Sequence, residues 1–237
     1  MRSTLSLVVC ARLLASGLMS VLALSVKANP TGGTVVAGAA EISSGAGTLT
    51  IQQGTARAVL NWEDFSIGAG ELVRFVQPDA TSATLNRVIG GNPSSLLGDI
   101  EANGRVFLIN PNGVLVGRDA RIDAAGFLAS TLNVTNEQFL AGGDLVFSGD
   151  STAAVQNLGA IDVSGGDIFL IARKVENLGR LSARDGTIGL AAGSEVLLTT
   201  GGDQRVFVRA GTMPGEVVNA GEIASATAEL KAAGGNP

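Results

Sequence analysis

The sequence feature that most limits the possible folds is a repeat of twenty residues in the second half of the chain. The segment Val155–Val163 (VQNLGAIDV) recurs at Val175–Ala183 (VENLGRLSA), and Gly166–Ala172 (GDIFLIA) recurs at Gly186–Ala192 (GTIGLAA) with the same spacing. In a third copy, Val218–Ser225, the shared asparagine lies 42 residues further on, which leaves room for two such steps. Two independent segments with one period indicate stacked units, none of which can bury its apolar face alone.

This period predicts an all-β fold, a parallel β-helix. Twenty residues hold two or three short strands with glycine or asparagine corners, and each strand would pair with its equivalents about 4.8 Å above and below. We expect Ile168, Leu170 and Ala172 to face inward beneath the matching residues of the next rung. A β-sandwich, the competing fold, gives no reason for near-identical copies. Alternating residues elsewhere predict strands at Thr34–Val36, Thr48–Gln52, Ala58–Trp62, Leu72–Val76, Arg105–Ile109 and Val114–Val116.

Asparagines and glycines recur at fixed positions of the repeat. We expect Asn157, Asn177 and Asn219 to form an internal ladder in which each side-chain amide bonds to the next. Gly159 and Gly179 follow two residues after their asparagines. We expect both glycines to adopt corner conformations with positive φ, which a Cβ atom resists.

The first 28 residues have the layout of a secretory signal peptide. Arg2 provides a positive start, an apolar stretch runs to about Val26, and cleavage is expected between Ala28 and Asn29. The predicted organisation is therefore a signal peptide (1–28) and one domain (29–237). Within this domain, residues 29–150 would contain an amino-terminal β cap and the first rungs, and residues 151–237 the regular rungs.

Composition excludes several functions. The chain has no His and no Tyr, and its one cysteine, Cys10, lies in the predicted signal peptide. A Ser-His-Asp triad, a Cys-His pair and a usual zinc site are therefore impossible, and no cofactor is expected. Residues 1–28 hold three of the 16 basic residues and none of the 21 acidic ones, so the remainder carries a net charge of −8. Nucleic acid is not an expected partner of such a chain.

The run Asn61–Gly143 closely resembles the amino-terminal secretion domain of two-partner-secretion exoproteins. This is the filamentous haemagglutinin family, and its high-molecular-weight adhesin branch is the most similar. The likeness spans most of residues 30–235, and several motifs carry it in the same order. These motifs are Asn61–Trp62, Asn86–Val88, Asn92–Pro93, Asn103–Gly113 and Gly126–Leu132.

The resemblance implies a right-handed parallel β-helix that crosses the inner membrane by the general secretion machinery. It implies a cognate outer-membrane β-barrel transporter, whose periplasmic recognition modules bind the domain and which passes the exoprotein outward. The domain would also nucleate folding of the β-helix that follows it. The expected location is secreted, or on the surface of a Gram-negative bacterium, reached through the periplasm.

The secretion motif implied by the resemblance is NPNGI, which this chain carries as Asn110, Pro111, Asn112, Gly113 and Val114. A second family motif, NPNL, is absent as such, which matches the adhesin branch. From the residues alone, NPNG is a β-turn, because Pro fixes φ at the second position and Gly tolerates positive φ. Asn92 and Pro93 open a similar corner, expected to extend to Ser95. Turn geometry and direct contact with the transporter both remain open.

The predicted function is thus that of a secretion domain of a large adhesin-like exoprotein, without catalytic activity. Downstream repeats would contact a receptor on host or neighbouring cells. Two alternatives remain. One is a β-helical carbohydrate-active enzyme, with its acids among Glu63, Asp64, Asp119, Asp123, Asp162, Asp167 and Asp185. The other is the amino-terminal part of a contact-dependent toxin.

Overall fold

The computed structural model describes residues 29–202, 204–209 and 214–234. The predicted signal peptide, residues 1–28, lies outside this range. Within it, the chain is built of strands and one short helix, whose bounds are as follows. They are β1 (Thr34–Ala37), β2 (Ala40–Ser44), β3 (Thr48–Gln53), β4 (Arg57–Trp62), β5 (Leu72–Val76), β6 (Ala83–Val88), β7 (Ser94–Leu96), β8 (Asp99–Ala102), β9 (Arg105–Ile109), β10 (Val114–Val116), β11 (Arg121–Ala124), β12 (Gly126–Ser130), α1 (Asn136–Ala141), β13 (Leu145–Ser148), β14 (Ala154–Asn157), β15 (Ala160–Val163), β16 (Ile168–Ala172), β17 (Lys174–Asn177), β18 (Arg180–Ala192), β19 (Glu195–Leu198), β20 (Val206–Val208), β21 (Glu216–Asn219) and β22 (Glu222–Ala232).

The strands stack into three parallel faces, which confirms the predicted parallel β-helix. The first face contains β7, β10, β14, β17 and β21. The second contains β3, β5, β8, β11 and β15, and the third contains β4, β6, β9, β12 and β16. The long strands β18 and β22 bend from the second face onto the third and continue both. One turn through the three faces is one rung.

The twenty-residue repeat is in the predicted register. Ile168, Leu170 and Ala172 pair with Ile188, Leu190 and Ala192, and all six residues are completely buried. The third copy differs from expectation, because Asn219 pairs directly with Asn177. The third copy therefore lies one rung beyond the second copy and not two. The extra residues between β18 and β21 leave the coil, and they contain strands β19 and β20.

The prediction that Gly159 and Gly179 have positive φ is wrong, since neither is among the residues with that conformation. Close stacking explains them instead. A Cβ atom on Gly179 would lie 2.1 Å from the carbonyl oxygen of Gly159, and one on Gly159 would lie 2.3 Å from that of Gly117. Gly221 stands over Gly179 in the same way, at 2.1 Å. The corner between the first and second faces is therefore a column of glycines that leaves no room for a side chain.

The amino-terminal end is closed by an antiparallel cap. Strand β1 pairs antiparallel with β4, and β2 pairs antiparallel with β3, whereas all other partners of β3 and β4 are parallel. The side chains of Trp62 and Phe65, both buried, meet edge to face beneath the cap with ring centroids 5.4 Å apart. The cap thus covers the otherwise open first rung of the coil.

A second apolar layer lies outside the coil, on the third face. The antiparallel sheet β13-β19-β20 and the helix α1 cover outward residues of this face, so that both sides of β12 and β16 are buried. Phe169 and Ile171, which alternate with the inward residues of β16, belong to this outer core. Sequence reasoning missed this layer and α1. Within the described ranges, no helix has the length and apolar character needed to cross a membrane.

Candidate functional site

The NPNG segment forms a hydrogen-bonded turn between the third face of one rung and the first face of the next. The backbone N–H of Gly113 donates to the carbonyl of Asn110 at 3.1 Å. The N–H of Asn112 donates to the side-chain oxygen of Asn110 at 2.9 Å. Pro111 occupies the second turn position, where its fixed φ is favourable, and Gly113 has a φ of 119°. The segment is therefore a β-turn reinforced by its own first asparagine.

The side chain of Asn110 is completely buried and fastens this turn to the preceding rung. Its amide nitrogen donates to the backbone oxygen of Asn92 at 2.9 Å and to the hydroxyl of Ser94 at 3.0 Å. The amide of Asn112 reaches the same corner and donates to the carbonyl of Gly90 at 2.9 Å. A buried amide that loses these partners would leave several polar groups unsatisfied. Asn110 is thus the structural centre of the motif.

Two Asn-Pro corners are stacked here on consecutive rungs. The backbone N–H of Ser94 donates to the carbonyl of Gly113 at 3.0 Å, and Ser94 pairs with Val114 in the parallel ladder. Residues 94 and 95 already belong to strand β7, so the predicted corner ends at Pro93 rather than at Ser95. A Cβ atom on Gly113 would lie 3.7 Å from Pro93 and 3.4 Å from the carbonyl of Ala154 on the following rung.

The motif has a buried half and an exposed half. Asn110 and Val114 are buried, and Val114 lies in the core of the coil. Pro111 and Asn112 are exposed, as are Asn92 and Pro93 on the neighbouring corner. The arrangement therefore displays two prolines and two asparagines side by side on the surface.

Three serines complete this site through contacts that were not predicted from the sequence. Ser94 accepts from Asn110, and the hydroxyl of Ser151 on the next rung donates to the carbonyl of Pro111 at 2.6 Å. Ser130 supplies the carbonyl that accepts from the N–H of Asn110. Only the preference of serine for corners marks these positions in the sequence. Their role depends on which rungs are neighbours, and the irregular first half does not reveal this.

The three ladder asparagines are joined in sequence. The amide nitrogen of Asn157 donates to the side-chain oxygen of Asn177 at 2.8 Å, and that of Asn177 donates to Asn219 at 2.7 Å. Asn157 and Asn177 are completely buried, whereas Asn219 is exposed on the last described rung. The side-chain oxygen of Asn157 also accepts from the N–H of Gly159 at 3.2 Å. The ladder therefore fixes the corner where the glycine column stands.

Carboxylates of the enzyme alternative are only partly brought together. Asp123 and Asp162 are neighbours in the parallel ladder of the second face. Asp162 forms an ion pair with Arg180 at 2.6 Å, and Asp167, on the third face, pairs with Arg205 at 3.1 Å. Among the described residues, no group of three or more acidic side chains could hold a metal ion.

Comparison with known proteins agrees with the fold and identifies a family. Residues 26–236 match the family described as the TPS secretion domain. The solved HMW1 secretion domain from Haemophilus influenzae superposes with a TM-score of 0.75 and 32% sequence identity, over 86% of this chain and 57% of that one. The filamentous hemagglutinin secretion domain shares the fold, with a TM-score of 0.53 and 15% identity over 85% of this chain and 74% of that one.

Two relatives of this chain are much longer proteins. Both are described as heme/hemopexin-binding proteins of Haemophilus influenzae. One is 45% identical over 102 residues, which are 43% of this chain and 11% of the relative. The other is 47% identical over 83 residues, which are 35% of this chain and 9% of the relative. The matched part of this chain thus spans about a tenth of their length.

Proposed function

The chain belongs to the TPS secretion domain family, and we propose that it directs the export of a larger adhesin-like exoprotein by binding a cognate outer-membrane transporter. The family is one of secretion domains and not of enzymes. Its exported relatives are secreted or surface proteins, and a TPS domain implies a transporter partner in the outer membrane. The finer proposal is that periplasmic modules of this transporter recognise the folded turns described above.

The observation that carries this proposal is the pair of stacked Asn-Pro corners. Asn110 is buried and bonded to the preceding corner, while Pro111 and Asn112 are exposed beside Asn92 and Pro93. A rigid, solvent-facing turn on a defined scaffold is the kind of feature that a partner can recognise without a large conformational change. In this proposal, turn geometry is the first role of NPNG, and recognition depends on that geometry.

We further propose that the last described rung serves as a template for folding. Strand β21 pairs only with β17, and β22 pairs only with β18, so the opposite edges of both strands are unpaired in the described part of the chain. Unpaired edges favour the addition of further strands. In the proposed organisation, a leader at residues 1–28 is removed, the domain at 29–237 folds first, and repeats of the full exoprotein contact host or neighbouring cells.

The experiment is a secretion assay in cells that carry or lack the cognate transporter. The protein is expected in the culture medium only when the transporter is present. Asn110→Ala should abolish this release, because it removes the bonds to the neighbouring corner, at a cost of about 1–3 kcal/mol in unfolding free energy. Release without a transporter would contradict the proposal.

A matched control separates recognition from folding. Asn157 is also completely buried and joins two rungs, since its side-chain amide donates to Asn177 at 2.8 Å, but it lies at another corner. Asn157→Ala should lower the melting temperature to a similar extent and yet leave release intact. Equal loss of release in both variants would assign the effect to stability alone. Asn112→Ala, at an exposed position, then tests direct recognition.

A further inference from the structure

A cleft outside the coil combines apolar walls with uncompensated positive charge. It lies between the third face and the outer sheet and has a volume of about 100 Å³. Its base is formed by the small residues Ala83 and Gly126, and its walls by aromatic and aliphatic side chains. These wall residues are Phe107, Phe169, Leu145 and Leu198.

Three arginines surround this cleft, although the chain as a whole is acidic. They are Arg57, Arg105 and Arg205, and the single carboxylate among the lining residues is Asp167. Asp167 is already paired with Arg205 at 3.1 Å. Two positive charges therefore remain without an acidic partner at the cleft.

The environment of Arg57 and Arg105 supports a site for an anion. Arg57 is half-buried, and its guanidinium donates to the carbonyl of Phe139 at 3.0 Å and lies 5.4 Å from the centre of that ring. Burial, and then the like charge of Arg105, lower the pKa of Arg57. An anion between the two guanidinium groups would relieve this repulsion and accept charge-assisted hydrogen bonds. Arg105 is exposed, and its stem extends over Gly126, the base of the cleft.

We propose that this cleft binds a carboxylate attached to a small apolar group, such as an aromatic ring or a branched aliphatic chain. The carboxylate would lie between Arg57 and Arg105, and the apolar group would lie against Phe107 and Phe169. The cleft, at about 100 Å³, is smaller than a dry apolar cavity of roughly 150 Å³ that is known to hold benzene, so a single ring would fill it and extend out of its open side. Such a group occurs in free hydrophobic acids and at the carboxyl terminus of peptides that end in an apolar residue.

Calorimetric titration of the purified protein tests this proposal with four probes. Phenylacetate and the dipeptide Gly-Phe carry the carboxylate, and phenylacetamide and Gly-Phe amide are their neutral counterparts. We expect at least one carboxylate to bind at least about tenfold more tightly than its amide, the usual effect of one charge-assisted hydrogen bond. Tighter binding of phenylacetate would identify a free acid as the ligand, and tighter binding of Gly-Phe would identify a peptide terminus.

Substitutions at two exposed arginines provide the matched comparison. Arg105→Gln should weaken binding of the better carboxylate by about tenfold or more, while Arg118→Gln, in the turn before β11, should leave it unchanged. Melting temperatures of both variants should equal that of the parent, because both side chains are exposed. The proposal is overturned if no carboxylate binds, if acid and amide bind equally, or if Arg105→Gln binds as the parent does. None of these outcomes depends on whether the domain directs export.

Discussion

At the scale of single residues, buried amides determine which rungs are neighbours and how they align. Asn110 joins the turns of two rungs, and Asn177 joins three rungs through one side chain. An amide can do this because it carries both a donor and an acceptor group. A carboxylate has only acceptors at neutral pH, so replacing a ladder amide by a carboxylate tests the ladder directly.

The first prediction concerns Asn177→Asp. The new carboxylate could still accept from Asn157, but it could not donate to Asn219, and it would bring a buried charge against that oxygen. We expect the unfolding free energy at pH 7 to fall by about 2 kcal/mol or more. Burial should raise the pKa of the aspartate above its unfolded value. The loss of unfolding free energy should therefore be largest at pH values above that raised pKa, and it should become smaller as the pH falls through it.

Urea denaturation at pH 7 and pH 4 measures this effect. Asn219→Asp is the control, because Asn219 is exposed at the end of the ladder and its carboxylate would still accept from Asn177. Asn219→Asp should lower the unfolding free energy much less than Asn177→Asp does. Equal stability of the Asn177→Asp variant and the parent at pH 7 would show that the ladder does not contribute.

The second prediction concerns the glycine column. Gly179→Ala places a methyl group 2.1 Å from the carbonyl oxygen of Gly159, so the two rungs must separate locally. We expect a loss of about 2–3 kcal/mol in unfolding free energy, as for an overpacked site. Gly201→Ala is the control, because a Cβ atom there meets nothing within 4 Å. Thermal denaturation of both variants should show a lower melting temperature for the first alone.

At the scale of elements, a carboxylate connects the last long strand to the outer sheet. Glu229 of β22 is buried, and its oxygens accept from the backbone N–H groups of Arg205 at 2.6 Å and Val206 at 3.2 Å. Lys231 lies 2.8 Å away. Burial raises the pKa of Glu229, but the bonds from Lys231 and from the two backbone groups outweigh it, and the net pKa is lowered. Glu229 thereby fastens β20, an edge strand, to the coil.

The third prediction follows from this lowered pKa. A depressed carboxyl pKa stabilises the fold above the unfolded value, given by the ordinary pKa of 4.5, and this contribution is lost as the pH falls through the lower folded value. Glu229→Gln should therefore reduce the unfolding free energy at pH 7, by about 1–3 kcal/mol. The difference from the parent should shrink in urea titrations between roughly pH 5 and pH 3, the range in which such a group titrates. A difference independent of pH would contradict the assignment.

Sequence reasoning succeeded for elements whose pattern is local and failed for those that depend on distant packing. Strands β5, β9 and β10 have the predicted bounds, because alternation and turn residues mark them. The outer sheet was missed because β19 lies in an insertion that interrupts the repeat, so that Asn219 was placed a rung too far. Helix α1 has only six residues, too few for a periodic signal, and it is held by Phe139 in the outer core.

The candidate site was predicted in part for the same reason. The turn at Asn110–Gly113 could be read from residue types, since Pro and Gly have local conformational preferences. The contact of Asn110 with Asn92 and Ser94 could not, because it requires the spatial order of the rungs. Likewise, no sequence pattern predicts that Arg57 and Arg105 line the same cleft, because 48 positions separate them in the sequence.

At the scale of the whole molecule, the outer sheet links rungs that are not adjacent. Strand β13 follows the rung of β10–β12, and β19 follows the rung of β17–β18, yet the two strands pair along their whole length. Neighbour contacts alone would allow rungs to unfold one by one. Because the outer core beneath this sheet also contains Val59 of β4 and Leu85 of β6, the pairing of β13 with β19 should make the amino-terminal and carboxyl-terminal rungs unfold together.

The fourth prediction tests this coupling with Phe147→Pro, at a position that pairs with Val196 in β19 and whose N–H faces that strand. Proline cannot donate a ladder hydrogen bond, so the outer sheet should be weakened. Trp62, the only tryptophan, reports on the capped end, and far-ultraviolet circular dichroism reports on all rungs. The two signals should coincide during denaturation of the parent and separate in the variant. Coincidence in both proteins would show that the outer sheet does not provide the coupling.

The register of the parallel strands also relates sequence length to physical length. Twenty extended residues can span roughly 66–72 Å, yet one folded rung advances the axis by only about 4.8 Å. Length along the axis is therefore a count of rungs, and it changes in equal increments. Insertions such as the one that contains β19 and β20 thicken the molecule without lengthening it, because Asn219 still stands one increment beyond Asn177. The reach of such a protein along its axis is set by the number of rungs and not by the number of residues.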